Sequence, residues 1–274
     1  MGFGFNNFGK EQFRNQAFGL GDNFGFVANP IASTPTPAFS NKYSGSFDGT
    51  DDYITTNANY NSLNGIAKAS FSIWMKPTNS GSALRYVFQR PNGGTGVVSQ
   101  IGFWIFRGNR LEVNLNSTGV FLRGNISGLT LGAWNHIAIT LDGTQEIIEL
   151  KGQIYLNGVN VTTSNNLGSF DSFTNDPSTN DKLYIGENED GKYNPFVGNL
   201  DEFAIWNTHL SSEQVSTIYN SGVPTNLASF SPAPINWWRF GDNNNGSGTT
   251  MNDDIGGATA TLINGTSYVE DVPA

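Results

Sequence analysis

The chain contains no cysteine, which removes disulfides, thiolate metal ligands and thiol nucleophiles at one stroke. Histidine is nearly absent too: only His136 and His209 occur in 274 residues. Two isolated imidazoles argue against a zinc centre and against a serine–histidine machine. Charge is sparse, at 14% of residues, against roughly a quarter in ordinary globular chains. What charge there is leans acidic, with 14 Lys and Arg against 23 Asp and Glu and a net charge of −9. Nucleic-acid affinity comes from cations that neutralise phosphates, so no nucleic-acid partner is expected. An acidic surface does suit an oxygen-seeking cation such as Ca²⁺. The apolar runs are short and interrupted, so membrane insertion is not expected. The opening Met1 to Lys10 lacks the basic and apolar regions of a signal peptide. No glycine-rich loop followed by Lys and Ser or Thr is present to cradle a phosphate.

Glycine, by contrast, is plentiful at 33 residues, and aromatics reach 13%. Many strands joined by tight turns have this composition. The length suits one large all-β domain with appendages, or two small domains. Residues 1–40 stand apart. Phe3, Phe5, Phe8, Phe13, Phe18, Phe24 and Phe26 are separated mostly by Gly, Asn and Gln, with a period that fits neither helix nor strand. The stretch Asn29 to Pro37 then reads as an extended linker. A sticky disordered segment is one reading. The other, which we prefer, is an arm whose seven phenylalanines insert into another protein, because bulky aromatics dominate such contacts.

Residues 41–274 read as the folded part. In Ala69 to Lys76, Phe71, Ile73 and Met75 fall on one face; in Asn135 to Leu141, Ile137, Ile139 and Leu141 do the same. Further strands are predicted at Val97–Trp104, Leu111–Leu115, Ile147–Leu150, Gln153–Leu156, Lys182–Gly186 and Phe196–Trp206. Asn157-Gly158 predicts a type I′ hairpin turn, which needs φ > 0 at both central positions. One helix is predicted over Ser211 to Asn220, with a Ser cap, Gln214 at the capping-box position, an inner stripe of Val215, Ile218 and Tyr219, and Gly222 and Pro224 as its stop. Two last short strands are predicted within Ile235–Phe240 and Ala258–Ile263. Strands at this spacing argue for a sandwich.

Five segments in order carry a family resemblance: Tyr43-Ser-Gly-Ser-Phe-Asp-Gly-Thr-Asp-Asp-Tyr-Ile54, Ala69 to Lys76, Ala133-Trp-Asn-His-Ile-Ala-Ile139, Ile154-Tyr-Leu-Asn-Gly-Val159, and Gly198 to Trp206 with Leu210 to Gln214. Over about 180 residues they resemble the concanavalin A-like lectin/glucanase superfamily and its LamG (laminin-G-like) domain. The resemblance implies an all-β fold: a two-sheet antiparallel β-sandwich, or jelly roll, with one short helix. In many family members a segment like Trp237 to Asp242, Asp254 to Gly257 and Ala260 to Gly265 precedes the Phe-Asp-Gly motif. Here it follows the helix. We therefore expect residues 235–274 to fold back and complete the same sandwich, as in a circular permutation; a truncated second repeat is the alternative. A looser resemblance links the C-terminal pattern, ending Ser267 to Pro273, to structural proteins of tailed bacteriophages.

Some LamG-like domains bind Ca²⁺ through comparable acidic positions. The resemblance thus points to a structural Ca²⁺ held by Asp48, Asp51, Asp52 and Asp201, with Glu202 beside the last. The competing reading is that Asp48 and Asp51 merely shape turns. Asp242 to Gly248 is a weaker candidate cation loop, lacking a terminal bidentate Glu. Catalysis has little support. The Glu-x-Asp-x-x-Glu strand of related glucanases is missing, and the acidic run Glu187 to Asp190 singles out no pair of carboxylates across a cleft. His136 lies in a core strand motif and reads as structural; His209 reads as exposed. Tyr86, Trp104, Phe106, Tyr193 and Phe196 are possible sugar platforms, though most of them read more readily as core or ordinary surface. The expectation is a non-enzymatic virion surface or appendage protein. It would occur in several copies, be joined to other virion proteins by residues 1–40, and display a domain that adheres to host glycans. A non-viral carbohydrate-binding or adhesion module, exported without a Sec signal, is the alternative, and a polysaccharide-acting enzyme comes third.

Overall fold

The computed structural model describes residues 39–78, 84–91, 99–106, 110–116, 119–174, 182–188 and 194–274. The seven phenylalanines of the arm, Tyr193 and Val97 lie outside the described residues. Chain order runs β1 (Ser44–Asp48), β2 (Tyr53–Thr56), β3 (Lys68–Pro77), β4 (Arg85–Pro91), β5 (Ser99–Phe106) and β6 (Arg110–Leu115). It continues through β7 (Phe121–Asn125), β8 (Asn135–Asp142), β9 (Gly152–Leu156), β10 (Val159–Asn160), β11 (Thr162–Asn166) and β12 (Tyr184–Ile185). After β13 (Val197–Trp206) comes the helix α1 (Ser212–Tyr219), then β14 (Asn236–Trp238), β15 (Thr250–Met251), β16 (Ala260–Ile263) and β17 (Ser267–Val269).

These strands make two antiparallel sheets. One has eight strands in the order β10-β9-β8-β3-β13-β1-β17, with β14 also paired to β13. The other has nine, in the order β11-β7-β6-β5-β4-β12-β2-β16-β15. Alternation explains the layering: Ile101, Phe103 and Ile105 of β5, and Phe71, Ile73 and Met75 of β3, meet in one core between the sheets. The eight-stranded sheet is buried on its back as well, where Ala138, Ala204 and Trp206 pack under Val215 and Ile218 of α1. That second burial makes β8 buried at every residue. The helix begins with a capping box between Ser211 and Gln214 and ends at Asn220 in the left-handed region. The β9–β10 turn has Asn157 at φ 50° and Gly158 at φ 76°, the signs a type I′ turn demands. Among the described residues no helix is long and apolar enough to cross a membrane.

The C-terminal segment enters both sheets. β14 pairs with β13 and β17 with β1 on one side, while β16 pairs with β2 on the other. Trp237, Trp238 and Phe240 are all buried. One expected strand is absent: Ile148–Leu150 is a single 3₁₀ turn. β8 and β9 pair directly, with Leu141 opposite Gly152, so the residues between them must turn. Asp142 fixes that turn by accepting Thr144 N at 3.1 Å and Gln145 Nε2 at 2.8 Å. Ile147 is consequently left 57% exposed.

Under the helix, His136 is fully buried, with Nε2 2.8 Å from Ser72 Oγ and its ring clustered with those of Trp74 and Tyr219, which also stack on each other. Burial pushes its pKa down from 6.5 to about 3. The unfolded chain therefore takes up a proton that the folded chain refuses. His136 imposes no pH penalty above about 6.5, and stability falls as pH drops from there toward 3. At 1.36 kcal/mol per unit, about 2 kcal/mol should be lost between pH 6.5 and 5. Urea unfolding of His136→Gln at both values should lack that part of the slope.

Candidate functional site

The outer face of the nine-stranded sheet carries a row of aromatic and charged side chains. Cross-strand register builds it. Tyr86 of β4 stands opposite Trp104 of β5, Trp104 opposite Glu112 of β6, and Glu112 opposite Arg123 of β7. Residues directly opposite share a face, and the neighbours Phe103 and Ile105 occupy the core side. A parallel row runs from Thr55 through Tyr184 to Gln89. Tyr86 meets Trp104 edge-on at 5.4 Å, and Tyr53 meets Tyr184 at 6.1 Å. Trp104 is only 6% exposed, yet its indole N–H has no hydrogen-bond partner. A buried donor without an acceptor costs about 1–3 kcal/mol, a cost the fold carries while the indole nitrogen stays covered.

Beside the indole, Glu112 is clamped. Arg110 Nε donates to its Oε2 at 2.8 Å and Arg123 Nε at 2.7 Å. The Arg123 guanidinium also lies 3.7 Å over the Phe121 ring. The Arg110-x-Glu112 alternation put both on one strand face and was readable in the sequence; the partner on β7 was not. Of the proposed sugar platforms, Tyr86 and Trp104 lie on this face. Phe196 does not: it is a core residue packed edge-on to Phe47 at 6.1 Å. Its neighbour Val197 opens β13, and β1 covers that stretch, which leaves the ring facing inward. A separate cleft of about 600 Å³, lined by Gln153, Asn160, Thr162, Thr163, Ser164 and others, is polar but offers no ring for stacking.

An acidic rim adjoins the β2–β12 part of the sheet. Carboxylate oxygens of Asp48, Asp51 and Asp52 all lie within 4.8 Å of one another. Two of the three also shape the turn: Asp52 accepts Asp48 N at 2.8 Å and Gly265 N at 2.7 Å, and Asp48 accepts Thr50 N at 2.7 Å. Burial raises the Asp52 pKa, against those backbone donors. Glu187 stands nearby, pushed up to about 7 by burial and then by the charges of Asp51 and Asp52. The sequence showed Glu187 only as part of a loop; its place beside Asp52 needs the long-range β2–β12 pairing.

Asp201, expected in the same cluster, is elsewhere. Asp48 pairs with Val197, four residues before Asp201 on β13, and a strand rises about 3.3 Å per residue. Asp201 is buried under Asn41 Nδ2 at 3.0 Å and Glu202 N at 2.8 Å, and burial holds its carboxyl well above the usual range. Asp242 is not an open loop ligand either. It accepts Lys42 N and Tyr43 N at 2.8 and 2.9 Å and pairs with Arg239 at 2.6 Å. His209, read as exposed, is half-buried, with Nε2 3.3 Å from Gln153 Oε1; the chain leaving β13 folds it toward β9.

Two stacked antiparallel sheets with a helix packed on the back of one define a concanavalin-like jelly roll. The chain belongs to the concanavalin A-like lectin/glucanases superfamily, whose laminin-G family model matches residues 48–216. No curated protein sequence matches it. Among solved structures, it is similar to a Bacteroides ovatus protein described as carbohydrate-binding, at 18% identity and a TM-score of 0.62, over 86% of this chain and 62% of that one. It is also similar to the heptameric SAP-like pentraxin of Limulus polyphemus, at 19% identity and a TM-score of 0.51, over 65% and 82% of the two chains. The sialidase CBM40 of Ruminococcus gnavus, solved with alpha2,3 sialyllactose, follows at 14% identity and a TM-score of 0.50, over 64% and 95%. At these identities the likeness is one of fold.

Proposed function

We propose that this chain is a carbohydrate-binding module without catalytic activity, and that sugar docks on the outer face of the nine-stranded sheet. One observation carries the reading: Trp104 sits on that face with an unpartnered indole N–H, beside Tyr86 and the Glu112 clamp. A sugar that seats on the half-buried Tyr86 and uncovers the indole supplies an acceptor hydroxyl for the N–H and an apolar ring face for the aromatics. The similar folds include proteins whose descriptions name carbohydrate binding. Catalysis gains no support from the carboxylates on or behind this face. Glu112 is tied to two guanidinium groups, and Asp201 and Glu202 are sealed inside the fold. Attachment to a virion through residues 1–40 has only the phenylalanine pattern behind it, so the module reading is the better supported.

The test is a glycan array followed by calorimetry on the best ligand. Trp104→Ala and the half-buried Tyr86→Ala should each weaken binding tenfold or more, as for a contact worth about 1.4 kcal/mol. Unchanged affinity in both variants, with native melting, would move the site off this face.

A further inference from the structure

We propose that the outer edge of β11, with the cleft beside it, is a docking site for an extended cationic peptide segment of another protein, which joins the nine-stranded sheet as one more strand. The four sheet ends differ in how they are closed. β10 and β15 have two residues each, and β17 has three before it runs into Glu270, Asp271 and Pro273. Short edges, charge and proline are the usual guards against strand addition. β11 has five residues, and from Asn160 to Phe170 the chain carries neither charge nor proline. Among the described residues, no strand pairs with its outer side.

The edge is open yet supported from behind. Thr162 Oγ1 accepts Ile154 N at 2.9 Å and Asn165 Nδ2 donates to the Gly152 carbonyl at 3.1 Å, so these two side chains satisfy β9 and tie the two sheets together. A bulge between Thr162 and Ser164 bends the start of the strand, which leaves Ser164, Asn165 and Asn166 as its regular stretch. The cleft of about 600 Å³ adjoins this edge: β11 lends it Thr162 to Asn165, and the turn before β9 lends it Glu149 and Leu150. Leu150 and its neighbours Ile147 and Ile148 are exposed, so aliphatic side chains of an added strand have apolar surface to cover.

Charge selects the occupant. Among the described residues lining the cleft, Glu149 alone is charged, and Glu146 is exposed in the same turn. Among the described residues neither forms an ion pair. Lys68 is held by Asp142, Lys151 by the Phe170 carbonyl and Asp171, and Arg123 by Glu112. A second copy would bring the same glutamates and a net charge of −9 against themselves, whereas Lys or Arg on a foreign strand is attracted by both glutamates. Main-chain bonds to β11 supply the affinity, and the glutamates with the aliphatic turn choose the sequence. None of this depends on whether the sheet's outer face binds sugar.

The full chain is used to select from a phage-displayed library of random short peptides, and the selected peptides are synthesised and titrated by calorimetry. They should be rich in Lys or Arg and in β-branched residues, and should slow amide exchange at Ser164 to Asn166. Ser164→Lys, which guards the edge with a like charge, should weaken them about tenfold or more. Glu149→Gln should weaken them roughly two- to fivefold, as for an exposed ion pair, and that loss should shrink in high salt. Both residues are exposed, so both variants should melt with the parent. No enriched peptide, an affinity that both variants keep, or binding without protection of β11 would overturn the site. So would a dimer in sedimentation that Ser164→Lys dissociates, since a second copy would then hold the edge.

Discussion

A chain ending at Pro234 is expected not to fold. The deletion strips β14, β15, β16 and β17, leaving β1 and β2 as open edges at one end of each sheet and β13 unpaired where β14 lay. It also removes Trp237, Trp238, Phe240, Met251 and Leu262, all buried. Trp238 stacks on Phe203 at 5.6 Å, and Leu262 stands opposite Ile54. At about 1.5–3 kcal/mol for each large apolar side chain, five such losses exceed roughly 8 kcal/mol. A whole domain typically holds only about 5–15 kcal/mol. Asp253 adds a polar reason, since its carboxylate accepts Trp237 N at 2.9 Å and Gly256 N and Ala258 N at 3.0 Å. That turn and the strands around it stand or fall together. The truncated chain should show no cooperative melt and should bind ANS. A cooperative transition within a few degrees of the full chain would mean the segment is an appendage.

Local rules made much of this fold legible. Asn157-Gly158 announced its hairpin because only positive φ at both positions closes a two-residue turn. Ser211 and Gln214 announced the start of α1 through reciprocal bonds at 2.9 and 3.3 Å. The alternation in β3 and β8 marked the core face. Long-range pairing hid the rest. Ile147 and Ile148 look like strand residues, but their neighbours β8 and β9 already pair with each other. Asp201 is acidic and lies in a family motif, yet register sets it away from Asp48. The outer face was half visible: Arg110 and Glu112 could be placed on one side of a strand. Nothing local said that Arg123 would arrive from β7 to complete the clamp, or that Glu187 would come to rest beside Asp52.

Arg239→Ala should be the most destabilising single change among the polar residues, and its effect should depend on pH. The site exists because β13 bulges between Asp201 and Ala204, with Glu202 at φ 51°. Before the bulge β13 pairs with β1, and after it with β14, so Glu202 is turned toward the strand that carries Trp237. Its carboxylate takes Trp237 Nε1 at 2.5 Å and Arg239 Nε at 3.2 Å. Arg239 also pairs with Asp242 at 2.6 Å, donates to the Ser40 carbonyl, and covers the Phe39 ring at 4.6 Å. One guanidinium thus joins the entering strand, the bulge and the C-terminal segment. Removing it leaves the Glu202 and Asp242 carboxylates without their guanidinium partner, a loss of about 3–5 kcal/mol. Burial already pushes Glu202 up to about 7, against the pull of Arg239 and Trp237. A folded-state value above the unfolded 4.5 means Glu202 favours folding below about 4.5 and loses that contribution as pH rises through about 7. Without Arg239 the value climbs further, and the charged form becomes harder to hold. The deficit of Arg239→Ala should therefore be largest near pH 8 and shrink toward pH 5, where Glu202 takes a proton. Adding Glu202→Gln should restore part of the loss at pH 8 and little at pH 5. Urea unfolding of the three variants at both pH values measures this directly. An equal deficit at both would mean that Arg239 acts through its packing on Phe39 and Trp237, not through its charge.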